Sequence, residues 1–253
     1  MLQAADQKTQ LERPPAGLMR PALFLDMDGV LAPLAPTPSD VGPLTRRTVL
    51  LETLIERFCG RVAILSGRTL EEIDRISGDA ARSASGVHGL ERRRHDGETE
   101  RAEVPDSLRD VVSAFDAFAR TRPGILVEDK GASVGLHYRQ AQDSREDATA
   151  LASRLAGETG LTLQPGHMVL ELKTPGADKG TALAAFMTEP PFIGSVPVML
   201  GDDLTDEFAF EAATALGGFG ILVGPERHTA ARYRLDDVEA VLTWLEHVKE
   251  TDT

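Results

Sequence analysis

The stretch Ala22-Leu23-Phe24-Leu25-Asp26-Met27-Asp28-Gly29-Val30 decides how this chain is read. Four apolar residues run into two carboxylates one residue apart, and glycine follows at once. An apolar run that stops abruptly is the pattern of a strand buried in a parallel sheet. Open α/β sheets bind ligands beyond the carboxyl ends of their strands, which is where Asp26 and Asp28 fall. With Asp26 ending the strand and Asp28 in the turn, strict alternation breaks and both carboxylates can face one pocket. Two like charges so near an apolar strand are costly without a cation or a shared proton. Asp and Gly are also ordinary turn residues, so an acidic turn after a strand explains this stretch, taken alone, equally well.

The flanking sequence supplies the context. Residues 31–43 are proline-rich and closed to a regular helix. Residues 44–58 place Leu44, Val49, Leu50, Leu54, Ile55 and Phe58 at helical spacing, and Gly60 ends that helix. Arg61-Val62-Ala63-Ile64-Leu65 predicts a second strand, stopping at Ser66-Gly67-Arg68-Thr69, and 70–76 a short helix. The order β-α-β-α implies a parallel sheet with right-handed crossovers. Residues 85–102 read as a strand and a hairpin excursion about His95-Asp96-Gly97. Arg92-Arg93-Arg94 within it reads as a solvated edge beside glutamates rather than a phosphate or nucleic-acid patch.

From Pro105 the alternation changes. Proline suits a first helical turn, and Val111, Val112, Phe115 and Phe118 share a helix face. Strands are expected over 124–128 and 132–138, a helix over 145–157, and strands over 161–164 and 168–172 joined at Pro165-Gly166. Hairpin-linked strands imply an antiparallel sheet backed by two helices. Alternation returns with a helix opened by Asp178-Lys179-Gly180 and a strand over 196–200 that ends at Gly201-Asp202-Asp203-Leu204-Thr205-Asp206-Glu207. A helix to 216, a strand over 220–223 and a final helix over 238–248 complete the chain. The expected fold class is α/β: a Rossmann-like parallel-sheet core from 20–102 and 174–253, an inserted α+β domain over 103–173, and a loose polar tail over 1–19.

Composition excludes several classes. The 253 residues carry a net charge of −13, which argues against nucleic acid or an anionic membrane as partner. An anionic ligand would need local positive charge from a metal, a few Lys or Arg, or helix N-termini. Cys59 is the only cysteine, so no intrachain disulfide is possible and a reducing cytoplasm is the expected location. No stretch has the apolar length of a membrane span or a signal peptide core.

Four polar signals recur at strand ends or helix starts: Asp26-Met27-Asp28, Ser66, Lys179, and Gly201-Asp202-Asp203 with Asp206. Singly, each has an ordinary explanation: Ser66 as a cap, Lys179 as a surface lysine, Asp203 or Thr205 capping the next helix. Jointly they supply what phosphoryl transfer through aspartate requires. A hard cation such as Mg²⁺ takes carboxylate oxygens, a carboxylate can attack phosphorus, and a hydroxyl and an ammonium stabilise the equatorial oxygens. A second carboxyl protonates the leaving oxygen and then activates water.

These ordered motifs resemble those of the haloacid dehalogenase-like (HAD) phosphatases. Further stretches, among them Leu65-Ser66-Gly67-Arg68, Gly86-Val87-His88-Gly89-Leu90-Glu91, Leu136-His137-Tyr138-Arg139-Gln140 and Glu171-Leu172-Lys173, extend the likeness to the trehalose 6-phosphate phosphatase family over about residues 20–247. The resemblance implies a HAD core with a mobile cap domain between the second and third motifs. It implies Asp26 as nucleophile and Asp28 as general acid/base, with Ser66 and Lys179 on the phosphate. It implies Mg²⁺ held by Asp26, the Asp28 backbone carbonyl and Asp202, supported by Asp203 and Asp206. Glu128, Lys130 and Glu171 match the family's sugar-binding cap positions, and Gly67, Arg68, His88, Gly89 and Arg139 are further candidates for orienting substrate. His137 reads as structural. The implied substrate is trehalose 6-phosphate, with a functional link to the synthase that makes it. A phosphatase for another sugar phosphate, such as sucrose or mannosylglycerate phosphate, and a non-catalytic sugar-phosphate sensor are the alternatives.

Overall fold

The computed structural model describes residues 11–166 and 168–251. In chain order the first block comprises β1 (Gly17–Leu18), β2 (Pro21–Leu25), α1 (Thr45–Arg57), β3 (Val62–Leu65), α2 (Leu70–Ser77), β4 (Ser83–Gly86), β5 (Glu91–Arg93) and β6 (Thr99–Arg101). A second block comprises α3 (Ser107–Arg120), β7 (Leu126–Asp129), β8 (Ser133–His137), α4 (Arg145–Thr159), β9 (Thr162–Gly166) and β10 (Val169–Lys173). The chain closes with α5 (Lys179–Met187), β11 (Val196–Gly201), α6 (Glu207–Ala215), β12 (Phe219–Val223), β13 (Tyr233–Leu235), α7 (Val238–His247) and β14 (Lys249–Glu250).

The first and last blocks share one mixed α/β sheet in the order β13-β12-β11-β2-β3-β4-β5-β6. It is parallel from β13 to β4, and the β5–β6 hairpin adds an antiparallel edge. From β2 the chain builds outward through β3 and β4, then returns on the other side through β11 and β12. The reversal falls between β2 and β11, so the crevice at their carboxyl ends is the topological switch point. β2 is buried on both faces, as its unbroken apolar run requires. Leu23 and Leu25 join the apolar cluster that includes residues of α1, α2 and α7, while Ala22 and Phe24 join that of α5 and α6. The Phe24 ring stacks at 5.5 Å on Phe192 and lies 6.2 Å from Phe186. Helices α5 and α6 approach closely because Gly180 has no side chain: a Cβ there would sit 2.4 Å from the Phe208 carbonyl oxygen.

The second block forms its own antiparallel sheet, β7-β8-β10-β9. Val134, Leu136, Leu170 and Leu172 pack with Val111 and Phe115 of α3 and Ala148 and Ala152 of α4. Strand alternation sends Gly135, His137 and Glu171 to the opposite face.

Four expectations are corrected. Residues 11–19 are not loose: β1 pairs with β14, Leu18 is buried, and Trp244 Nε1 donates to the Pro15 carbonyl at 3.2 Å. The first ten residues of the expected tail lie outside the described residues. In α1 the expected apolar face is displaced, with Leu44 and Val49 exposed and Arg47 buried; its guanidinium satisfies the Ile76 and Leu31 carbonyls, which apolar side chains could not do. Arg92-Arg93-Arg94 is not a solvated edge. Arg92 is buried against Glu189, Arg93 pairs with Asp74 at 2.6 Å, and Arg94 with Glu189 at 3.2 Å. Finally, Pro165-Gly166 is strand rather than turn: Pro165 pairs with Leu170, and Met168 beyond it takes φ 62°.

Because Phe24 anchors the strand that presents Asp26, Phe24→Ala should cost about 3–5 kcal/mol, measured by urea unfolding; a loss below about 1 kcal/mol would contradict this packing.

Candidate active site

β2, β3 and β11 end side by side, and each is followed directly by a polar residue, Asp26, Ser66 or Asp202, that lines the same crevice. Asp26 follows β2 directly. Its Oδ1 accepts from the Met27 backbone N–H at 2.7 Å and its Oδ2 from Lys179 Nζ at 2.7 Å. Lys179 is the first residue of α5, whose N-cap Asp178 forms a reciprocal capping box with Thr181. The same ammonium donates to Asp206 Oδ1 at 2.7 Å. Asp206 is fully buried, and its Oδ2 accepts from the Asp202 and Asp203 backbone N–H groups at 2.9 and 3.0 Å. Asp206 thus shapes the loop that carries Asp202, while Asp203 caps the following turn through Leu204 N–H. Arg227 donates to the Asp203 carbonyl at 2.8 Å and pairs with Glu207, holding the loop from outside.

Ser66 follows β3 as a buried hydroxyl, with the Arg68 backbone N–H 3.3 Å from its Oγ. Asp28 is gripped by Arg68 in a two-bond fork, Nε to Oδ2 at 2.6 Å and Nη2 to Oδ1 at 2.7 Å. Gly29 is obligatory here. Its φ is 72°, and a Cβ would fall 2.1 Å from Asp202 Oδ2. Two acidic loops therefore meet at a backbone with no side chain.

One carboxylate oxygen from each of Asp26, Asp202 and Asp206 lies within 4.8 Å of the others. When all three ionise, one ammonium faces three carboxylates, and two negative charges remain in excess. Burial, aided by Asp206 and Asp202, pushes the Asp26 carboxyl well up despite Lys179. Burial, then Asp206, pushes Asp202 up to about 7. Lys179 itself stays charged, since Asp206 and Asp26 outweigh its burial. A buried, all-oxygen, electron-rich set of this kind fits a hard divalent cation.

A cavity of about 410 Å³ joins this cluster to the polar face of the second sheet. Asp26, Asp28, Ser66, Gly67, Arg68, His88, Lys179, Asp202 and Asp203 line one side, and Glu128, Lys130, Arg139 and Glu171 the other. Lys130 Nζ donates to the Gly67 carbonyl at 2.9 Å and to Glu171 Oε2 at 3.3 Å, tying the second sheet to the loop after β3. Burial would raise the Glu171 carboxyl, but Lys130 and His88 hold it well below the usual range. His88 Nε2 lies 3.6 Å from Glu171 Oε2, on a backbone with φ 52°. Burial lowers the His88 pKa from its ordinary value.

Gly89 is not among the lining residues; it packs against the Asp178 backbone, where a Cβ would come within 2.6 Å of the carbonyl. Lining residues that sequence reasoning missed include Leu34, Pro36 and Thr37 in the proline-rich loop, His137, Gln164, Thr205 and Pro225. His137 carried a signal, standing two residues from Gly135 in an alternating strand. The others stand in loops or on an edge strand with no periodicity to mark them.

Residues 24–239 match the family model described as trehalose-phosphatase. The trehalose-6-phosphate phosphatase of Escherichia coli (strain K12) is 39% identical over 229 residues, spanning 90% of this chain and 86% of that protein. The crystal structure of a trehalose-6-phosphate phosphatase related protein superposes with a TM-score of 0.73 at 28% identity, covering 88% of this chain and 95% of that one. A haloacid dehalogenase-like hydrolase from Bacteroides thetaiotaomicron shares the fold at TM-score 0.65 and 18% identity, covering 89% and 98%. The chain belongs to the trehalose-phosphatase family of phosphoric monoester hydrolases.

Proposed function

We propose that this protein hydrolyses trehalose 6-phosphate to trehalose and phosphate by way of an aspartyl-phosphate on Asp26. The single observation that carries the reading is the cavity that joins the Asp26–Lys179 pair to the Glu128–Lys130–Glu171 cluster. A phosphate end and a sugar end are thereby served by one continuous volume. On this reading 103–173 is a cap domain on a core made of 20–102 and 174–253. The cap reads the glucose ring remote from phosphate, because charged groups bond hydroxyls more strongly than neutral ones. Arg139 and His88 line the same volume and orient the sugar. The substrate ties the protein to the synthase that makes trehalose 6-phosphate.

Asp26 and Asp202, with the Asp28 backbone carbonyl, would hold Mg²⁺, and Asp203 and Asp206 would brace the loop behind them. When bound, the cation offsets negative charge on the phosphate oxygens and on the facing carboxylates. Lys179 and Ser66 contribute an ammonium and a hydroxyl to those oxygens as charge redistributes. Asp26, held by Met27 N–H and Lys179, attacks phosphorus in line. Asp28 releases one of its two Arg68 bonds, takes up a proton from solvent on the freed oxygen as substrate enters, and gives that proton to the sugar 6-oxygen. Trehalose leaves as an alcohol. Asp28 then takes a proton from the water that cleaves the acyl phosphate, which regenerates both carboxyls. Lys130, bonded to the Gly67 carbonyl, seats the cap and excludes bulk water.

Two outcomes test this reading. Asp26→Asn should keep the fold, seen by circular dichroism, and lower phosphate release from trehalose 6-phosphate by about ten-thousand-fold or more; near-wild-type release would remove Asp26 as nucleophile. Acids with raised pKa destabilise the folded state as pH climbs from their unfolded value toward the folded one, because the unfolded chain releases its protons first. Metal-stripped protein should therefore lose stability between about pH 4 and the Asp202 value of about 7. Added Mg²⁺ should raise the melting temperature more above that range than within it, and an equal shift at every pH would contradict the assigned cation site.

A further inference from the structure

The polar face of the second sheet holds a pairing that the sugar cluster leaves unexplained. Strand register sets Gly135 opposite Glu128 on one side and opposite Glu171 on the other. Gln164 extends that row on β9. Gly135 thus leaves a notch between two carboxylates at the middle of the sheet. His137 reaches into it from the neighbouring row, with Nε2 2.8 Å from Glu128 Oε2. A Cβ on Gly135 would stand 3.3 Å from that nitrogen, tighter than ordinary contact, so the missing side chain gives the ring its place. A carboxylate offers only acceptors, so Nε2 carries the hydrogen and donates.

Glu128 needs this partner. β7 is the outer strand of its sheet, so among the described residues no further strand flanks Glu128 on its other side. Lys130 Nζ is 3.7 Å from Glu128 Oε2, outside hydrogen-bond distance, and is engaged instead by the Gly67 carbonyl and Glu171. A glutamate on an edge strand loses rotamer freedom when it binds a hydroxyl, and a prior bond pays that ordering in advance.

We infer that His137 is a positioning residue for the sugar: it fixes one Glu128 oxygen so that the other presents a lone pair to a hydroxyl of the disaccharide. This rests on the function proposed above, and it makes His137 part of what separates a disaccharide phosphate from a simple phosphomonoester. His137→Leu removes the donor at similar size, whereas His137→Gln keeps an N–H at the same reach. The measured quantity is kcat/KM for trehalose 6-phosphate relative to that for p-nitrophenyl phosphate, which has no sugar. His137→Leu should lower this ratio roughly tenfold or more, as expected for losing a bond to a charged group, chiefly through KM. His137→Gln should recover most of it. Combined with Glu128→Ala, His137→Leu should lower the ratio no further than Glu128→Ala alone. A ratio maintained in His137→Leu, or a further fall in the double variant, would overturn the role. Wild-type protein that cleaves p-nitrophenyl phosphate but leaves trehalose 6-phosphate intact would overturn the proposed function first, and this role with it.

Discussion

The Lys179 ammonium, buried between the Asp26 and Asp206 carboxylates at 2.7 Å from each, is the constraint on which the rest of the site depends. A buried ammonium must be paired, and removing one partner of such a pair is expensive. One cation therefore draws together three segments far apart in sequence: the end of β2, the start of α5 and the loop after β11. Each segment is prepared for it. β2 is anchored by apolar faces on both sides, α5 begins at a capped Asp178, and Gly180 lets α5 close on α6. The pairing is deliberately incomplete in charge. Asp202 and Asp26 are left short of positive partners, and that shortage makes the cluster suited to a divalent cation.

The two sheets divide the work. The parallel sheet assembles charge at its topological switch point, and the antiparallel sheet offers a polar face whose other side is an ordinary helix-backed core. Lys130 spans the division, since its ammonium bonds the Gly67 carbonyl in one sheet's loop and Glu171 on the other sheet. The polar face of the second sheet and the charge cluster of the first are thereby tied to one another. The Arg68–Asp28 fork adds a second constraint, because the carboxyl proposed for proton transfer is held on both oxygens by one guanidinium.

Much of this was legible in the sequence because the relevant signals are strong and local. An unbroken apolar run ending in acids located β2 and Asp26, and the change from alternating strands and helices to hairpins located the second sheet. Tertiary pairing was not legible. Nothing in the spacing of α1 marks Arg47 as the buried residue and Val49 as the exposed one; that follows from carbonyls of Leu31 and Ile76 contributed by other segments. Gly29 read as a turn glycine, whereas its decisive neighbour, Asp202, is more than 170 positions away. Arg92-Arg93-Arg94 read as solvated because its partners Asp74 and Glu189 come from elements on either side. The short tail segment over 11–19 was polar enough to read as loose, and its pairing with β14 is a contact between chain ends that periodicity cannot carry.

The most direct test of the central claim is chemical trapping at Asp26. Protein mixed with trehalose 6-phosphate and Mg²⁺ is quenched in acid within the first turnover, reduced with borohydride and mapped by peptide mass spectrometry. An acyl phosphate on Asp26 would be reduced there to homoserine, and that conversion at position 26 alone is the predicted result. Phosphate release with the Asp26 carboxyl unchanged and the mark on another residue, or on none, would contradict the account.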